Sequence, residues 1–207
     1  MNRFENWFCA SSCWRGITQR QVLPWLLGET DLGEHVLEIG AGAGAATGEL
    51  RRRAPRVTSL EYGQHLAVKL AANSRSIDSN SSSGAFGNST IRHDAVLRGD
   101  AAMLPFANGT FSAVIAVLML HHLRSREAQD QALRESFRVS RPGGVFLALE
   151  IENGWLNRLA HIRSTFVPLS TDEVPARLSA AGFHAITTAK RGGAFRVRAV
   201  RSTGSHS

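Results

Sequence analysis

Short apolar runs that alternate with helix-like stretches constrain this chain most strongly. Val36 to Ile39 reads as a buried strand, Ala41 to Gly44 as a glycine loop and Ala45 to Arg53 as a helix. Val57 to Leu60 and Gln64 to Ala72 repeat the strand–helix pair. A short strand near Val96 to Arg98 follows, then Phe111 to Met119, whose unbroken hydrophobicity suits a parallel strand covered on both faces. Arg126 to Val139 reads as a helix with Ala128, Ala132, Leu133 and Phe137 on one face. Arg141-Pro142-Gly143-Gly144 reads as a turn into a strand from Val145 to Glu150, and Thr171 to Ala181 as a helix stopped by Gly182. The last two strands, His184 to Lys190 and Phe195 to Arg201, are joined by Gly192-Gly193. That link is too short for a crossover, so the pair must be antiparallel. Strands alternating with helices build βαβ units. The expectation is therefore an α/β fold: a doubly wound seven-stranded sheet, mostly parallel, with an antiparallel last strand.

Residues 1 to about 33 read as a helical N-terminal segment anchored by Trp7, Phe8, Trp14, Leu23, Trp25 and Leu26, which Pro24 is expected to divide. Residues 34–201 form the sheet domain, and 202–207 a frayed tail. Ser, Asn and Gly dominate residues 73–90, a composition that buries little surface and predicts a flexible loop. The length, 207 residues, suits one domain with a core that needs no disulfide or metal staple. The longest apolar run, Ala113 to Leu120, is far short of a membrane span, and the N-terminus lacks the pattern of a secretory signal. Cys9 and Cys13 have no second pair to complete a zinc site and read as reduced thiols, which implies the cytoplasm. The net charge of +7 raises the question of nucleic acid. The basic residues are dispersed, however, and almost all are Arg. The one cluster, Arg51, Arg52, Arg53 and Arg56, falls late in an expected helix, where cations suit the dipole. Nucleic acid is disfavoured as a partner, and nothing sets an oligomeric state.

The chemistry concentrates after the strands. Glu38-Ile39-Gly40-Ala41-Gly42-Ala43-Gly44 ends a strand and opens a helix, where glycines let backbone approach a ligand and helix N–H groups stand free. Glu61 falls at the end of the second strand, where a carboxylate accepts from two ribose hydroxyls. Gly40, Gly42 and Ala45 also fit a dinucleotide pattern, so at this level a nicotinamide cofactor and another nucleoside cofactor both remain open.

Three later segments bear on the choice: Gly99-Asp100-Ala101-Ala102-Met103-Leu104-Pro105-Phe106, the run FSAVIAVLMLHHL from Phe111 to Leu123, and Arg138-Val139-Ser140-Arg141-Pro142-Gly143-Gly144. Together with the glycine loop they resemble the class I S-adenosylmethionine-dependent methyltransferases, in particular the ubiquinone/menaquinone-biosynthesis-type family. The resemblance spans about residues 34 to 200 and implies a Rossmann-like fold and S-adenosyl-L-methionine as cofactor. It implies that Glu38, Gly40, Ala41, Gly42 and Gly44 pack under the methionine part of the cofactor. It puts Glu61 on the ribose, with Tyr62 beside the adenosine. Asp100 would accept from the adenine amino group, with the Ala101 amide against the ring, and Val117 and Leu118 would lie near the cofactor amine. The stretch FENWFCASSCWR, with Trp7, Phe8, Trp14 and Arg15, resembles a lid of small methyltransferases. Most relatives carry Asp at the place of Ser112 and often Asn or Ser at that of Val117, so this chain departs from the pattern at both.

His121 follows the fourth strand at its ligand-binding end and is the candidate catalytic residue, as a base or a substrate contact. His122, beside it, and His161 are weaker candidates. Glu150 and Glu152 fall near the expected mouth, where they could contact a substrate but read more simply as solvated carboxylates. The chain has no Asn-Pro-Pro-Tyr or Pro-Cys after the fourth strand, which argues against base methylation in nucleic acid. It has no Asp there to hold Mg²⁺, which favours a metal-independent reaction. The implied activity is methyl transfer to a small-molecule acceptor. The rivals are an NAD-dependent oxidoreductase, which would lack a Tyr-xxx-Lys pair, and a non-catalytic or RNA-associated binding protein.

Overall fold

The computed structural model describes residues 11–80, 94–154 and 164–203. Seven strands form one sheet: β1 His35–Ile39, β2 Arg56–Glu61, β3 Ala95–Arg98, β4 Phe111–Val117, β5 Ser140–Ile151, β6 Phe183–Arg191 and β7 Ala194–Arg201. Their order is β3-β2-β1-β4-β5-β7-β6. Strands β1 to β5 pair in parallel, and β7 runs antiparallel to both β5 and β6. The sheet expected from the sequence is therefore present. The chain moves outward from β1 to β3, then returns to the other side of β1 for β4. Open α/β sheets bind ligands at such a switch point, outside the carboxyl ends of the strands.

Helices cover both faces. Before the sheet come α1 Ser12–Ile17, a π turn Thr18–Val22 and α2 Leu23–Leu27. Then follow α3 Thr47–Arg53, α4 Gln64–Asn80, α5 Arg126–Val139 and α6 Val174–Ala180. Side chains alternate along a strand, so each strand feeds two cores. Leu37, Val114, Phe146 and Phe195 pack with Leu133 of α5 and Leu178 of α6. Val36, Val57, Ile115 and Leu147 pack with Leu23 and Leu26 of α2 and Leu50 of α3. Phe146 is wholly buried, a burial worth about 1.5–3 kcal/mol. Helix α5 has the limits its periodicity predicts, and the Ser125 hydroxyl caps it by accepting from the Ala128 amide at 3.2 Å.

Four details differ from the sequence reading. Residues 73–80, expected in a flexible loop, continue α4, whose Asn73 and Ser74 dock on neighbouring elements. The Asn73 amide donates to the Ala43 carbonyl, and the Ser74 carbonyl accepts from the buried Arg51. Pro24 does not divide the N-terminal segment. It stands in the first turn of α2, where its missing N–H matters little, and the irregularity is the π turn just before it. Strand β4 stops at Val117 because Leu118 takes a left-handed φ of 51°. Arg141 to Gly144 is a bulge within β5: Phe111 pairs with Ser140 and Ala113 with Val145. Trp7, Phe8, Cys9, His93, His161, residues 81–90 of the expected loop and the end of the tail lie outside the described residues.

Candidate active site

At the carboxyl ends of β1, β2 and β4 lies a cleft of about 750 Å³, within the range of small-molecule sites. Its floor is the glycine loop. Gly40 has φ +69°, and a Cβ there would stand 2.5 Å from the Met119 Cβ, so the end of β1 presses directly on the segment after β4. Gly42 differs: its φ is +58°, but a Cβ there would meet nothing within 4 Å. The loop is left-handed yet open toward the cleft, as a surface that takes a ligand against backbone must be.

Of the residues singled out in the sequence, Glu38, Gly40, Ala41, Gly42, Glu61, Tyr62, Asp100, Ala101, Val117, Leu118 and His121 all line this cleft. Gly44 does not. Its φ is +89° and a Cβ there would stand 2.9 Å from Leu70 Cδ1, so it lets the loop close on α4. Ser112 sits at the other end of β4. Its hydroxyl donates to the Leu32 carbonyl at 2.7 Å and accepts from the His35 amide at 2.9 Å. The departure from the family pattern at this position therefore concerns a strand joint remote from the cleft.

Glu38 is fully buried beneath the loop and accepts from the hydroxyls of Thr47 and Ser59 at 2.6 and 2.7 Å. Burial is the largest influence on it and pushes its pKa up to about 7, against the pull of both hydroxyls and of Arg51. Glu61 ties the loop together, accepting from the Gly42 amide and the Gly63 amide, each at 2.8 Å. Asp100, exposed at the rim, accepts from the Ala102 amide at 2.9 Å.

Across the cleft, a 3₁₀ turn, Leu120–His122, follows β4. His121 is 2% exposed and its Nδ1 lies 2.5 Å from Glu150 Oε2. Glu150 is itself 1% exposed, and its other oxygen accepts from the Met119 and Leu120 amides at 3.0 and 2.7 Å. A carboxylate beside Nδ1 favours the tautomer protonated there. Glu150 is thus a buried orienting group and not a solvated carboxylate. β4 and β5 pair with Val117 opposite Leu149, which sets Glu150 beside the segment after β4. The sequence carries no signal for the Glu150–His121 pair, because the register that makes it is set only by the pairing of β4 with β5. Glu152 instead pairs with Lys190 at 2.6 Å. Trp14 and Thr18 of the N-terminal segment and Arg124 also line the cleft, whereas Arg15 does not. Among the described residues no group of three or more His, Cys, Asp or Glu side chains is arranged to hold a metal ion, and no helix is long and apolar enough to cross a membrane.

A family model described as Methyltransferase domain matches residues 37–148, more than half of the chain. The chain belongs to the methyltransferase family. The matched span of this methyltransferase runs from β1 into β5 and includes the glycine loop, Glu61, Asp100 and His121. The demethylmenaquinone methyltransferase of Thermobifida fusca is 31% identical over 121 residues, 58% of this chain and 45% of that one. A Mycolicibacterium smegmatis protein named probable S-adenosylmethionine-dependent methyltransferase is 32% identical over 129 residues, 62% of this chain and 42% of that one. The methyltransferase therefore spans less than half the length of these curated relatives. Among solved structures, a Pyrococcus horikoshii protein superposes with a TM-score of 0.78 at 17% identity, covering 98% of this chain and 99% of that one. A chain from the complex of the Haloferax volcanii Trm112 methyltransferase activator with a methyltransferase gives 0.74 at 17% identity, with the same coverage. At these identities the likeness is one of fold.

The cofactor of this family is S-adenosylmethionine, and the residues present fit it. The loop leaves open room at Gly42, carboxylates stand at the ends of β2 and β3, and the lining between them is largely apolar.

Proposed function

We propose that this methyltransferase transfers a methyl group to a small-molecule acceptor by metal-independent, in-line displacement. One observation carries the reading: a single cleft holds the open loop at Gly42, Glu61 and Asp100 toward β2 and β3, and the oriented His121 after β4. Bound S-adenosylmethionine supplies a methyl group already activated by its sulfonium, which leaves the protein to align the acceptor and exclude water. Glu38, Gly40, Ala41 and Gly42 would hold the amino-acid part. Glu61 would accept from the ribose, and Tyr62, Asp100 and Ala101 would face the adenine. Val117 and Leu118 would border the amine. His121, with Nδ1 held by Glu150, is the residue we assign to the acceptor, to take a proton from it or to hold it in place. Trp14 and Thr18, which line the cleft, would belong to a lid over it. The apolar lining favours an apolar acceptor, as does the name of the Thermobifida fusca relative. The exposed free thiol of Cys13 suits a reducing compartment such as the cytoplasm.

The test is calorimetric titration with S-adenosylmethionine and S-adenosylhomocysteine. Micromolar binding of both, lost in Asp100→Ala and Gly42→Arg, is the expected result. Wild-type protein that binds neither ligand refutes the reading, and variants that bind as wild type refute the site.

A further inference from the structure

β2 and β4 flank β1 on its two sides, and all three run parallel, so their carboxyl ends share one edge of the sheet. Two strand spacings put the ends of β2 and β4 about 10 Å apart, with the glycine loop between them. Tyr62 directly follows β2, and Arg124 follows the turn after β4. The Arg124 Nη2 donates to the Tyr62 hydroxyl at 2.9 Å, and the guanidinium carbon lies 5.9 Å from the ring centroid. This contact joins opposite sides of the cleft above the end of β1. Its Tyr62 side is anchored: Arg98 donates to the Tyr62 carbonyl at 3.2 Å, and Glu61 accepts from the next amide, Gly63. Arg124 is different. It stands between a 3₁₀ turn and the cap of α5, and it has no carboxylate partner among the described residues. It is also the one Lys or Arg among the described residues that line the cleft.

We propose that Tyr62 and Arg124 form a clasp over the cofactor's nucleoside, which makes Arg124 a cofactor-binding residue. The proposal rests on the cofactor reading above. A nucleoside lying against Gly42, Glu61 and Asp100 passes beneath this bridge. A planar guanidinium with donors to spare can stack on a purine or donate to its edge, and a tyrosine ring offers a second face. The bridge is one exposed hydrogen bond, so it opens easily to admit the cofactor. Once closed, it slows the cofactor's escape.

Tyr62 is the single tyrosine of the chain, so 3-fluorotyrosine labelling gives one ¹⁹F resonance that reports this contact. The probe ligand is S-adenosylhomocysteine, followed by ¹⁹F spectra, calorimetry and stopped-flow dissociation for wild type, Arg124→Ala, Arg124→Lys and Tyr62→Phe. In the free protein, Arg124→Ala moves the resonance toward that of an exposed tyrosine. In wild type, the ligand shifts it. Dissociation quickens about 5-fold in Arg124→Ala and about 3-fold in Tyr62→Phe, as the loss of one such hydrogen bond predicts. Arg124→Lys, which keeps the charge and loses the plane, falls between wild type and Arg124→Ala. Circular dichroism melts that match wild type exclude a folding defect. If wild type binds the ligand and Arg124→Ala releases it at the wild-type rate, the clasp is overturned and the cofactor reading stands. If wild type does not bind, both fall.

Discussion

Gly40 and Gly42 share a left-handed backbone but differ in what a methyl group would meet, and this separates a structural glycine from a ligand-facing one. Alanine at either site incurs the left-handed strain of about 1–2 kcal/mol. At Gly40 the new Cβ also stands 2.5 Å from the Met119 Cβ. A Cβ cannot swing aside by rotating its own side chain, so the end of β1 and the segment after β4 must separate, an overpacking cost of about 1–3 kcal/mol more. At Gly42 the Cβ meets nothing within 4 Å. For a chain of this size each kcal/mol lowers the melting temperature by about 2–4 °C. Gly40→Ala should therefore melt about 2–12 °C below Gly42→Ala, by the overpacking term alone. Gly42→Ala keeps most of its stability and loses S-adenosylhomocysteine affinity, because its methyl group projects into the space the ligand needs. Differential scanning calorimetry with and without ligand reads both effects. Equal melting of the two variants would refute the packing argument, and full ligand affinity in Gly42→Ala would refute the loop's assignment.

Three further outcomes follow from buried charge. Burial raises the Glu38 pKa from 4.5 to about 7, so the folded state holds the proton more tightly than the unfolded chain. The stability this group contributes is present below pH 4.5 and is lost as the pH rises through about 7, on the order of 3 kcal/mol. Glu38→Gln should flatten that part of the stability–pH curve in urea titrations, and an unchanged slope would contradict it. Arg51 and Asp94 form a buried pair at 3.1 Å, and the Asp94 carboxylate also accepts from the Val57 amide. Removing one partner, as in Arg51→Met, should cost about 3–5 kcal/mol, and the double variant Arg51→Met/Asp94→Asn less, as urea midpoints would show. Glu150→Gln keeps an oxygen for the Met119 and Leu120 amides but presents an amide to His121, favouring the opposite tautomer. We expect a wild-type fold, S-adenosylhomocysteine affinity within about 3-fold, the tautomer reversed in ¹⁵N histidine spectra and turnover lowered about 10²–10⁴-fold once an acceptor is found. An unchanged tautomer would contradict the orienting role of Glu150.

The sheet was legible because its cause is local. A short, β-branched apolar run such as Ala113 to Val117 suits a strand buried on both faces, and a Gly-Gly link such as Gly192-Gly193 is too short to join any but antiparallel neighbours. The glycine loop and the carboxylates Glu61 and Asp100 stand at strand ends, so their order along the chain already brings them to one edge. Composition misled where tertiary contacts took over. The Ser- and Asn-rich stretch after Ala72 reads as loop, yet Asn73 and Ser74 find partners on the loop after β1 and on Arg51. Glu150 reads as a solvated carboxylate, yet strand register buries it against two amides and an imidazole. The Tyr62–Arg124 bridge joins residues 62 positions apart in sequence, and nothing along the chain marks them as neighbours. Periodicity and turn chemistry act over a few residues and are written in the sequence. Which side chains meet across two strand spacings depends on how the strands are ordered and registered, and that is decided only when the sheet closes.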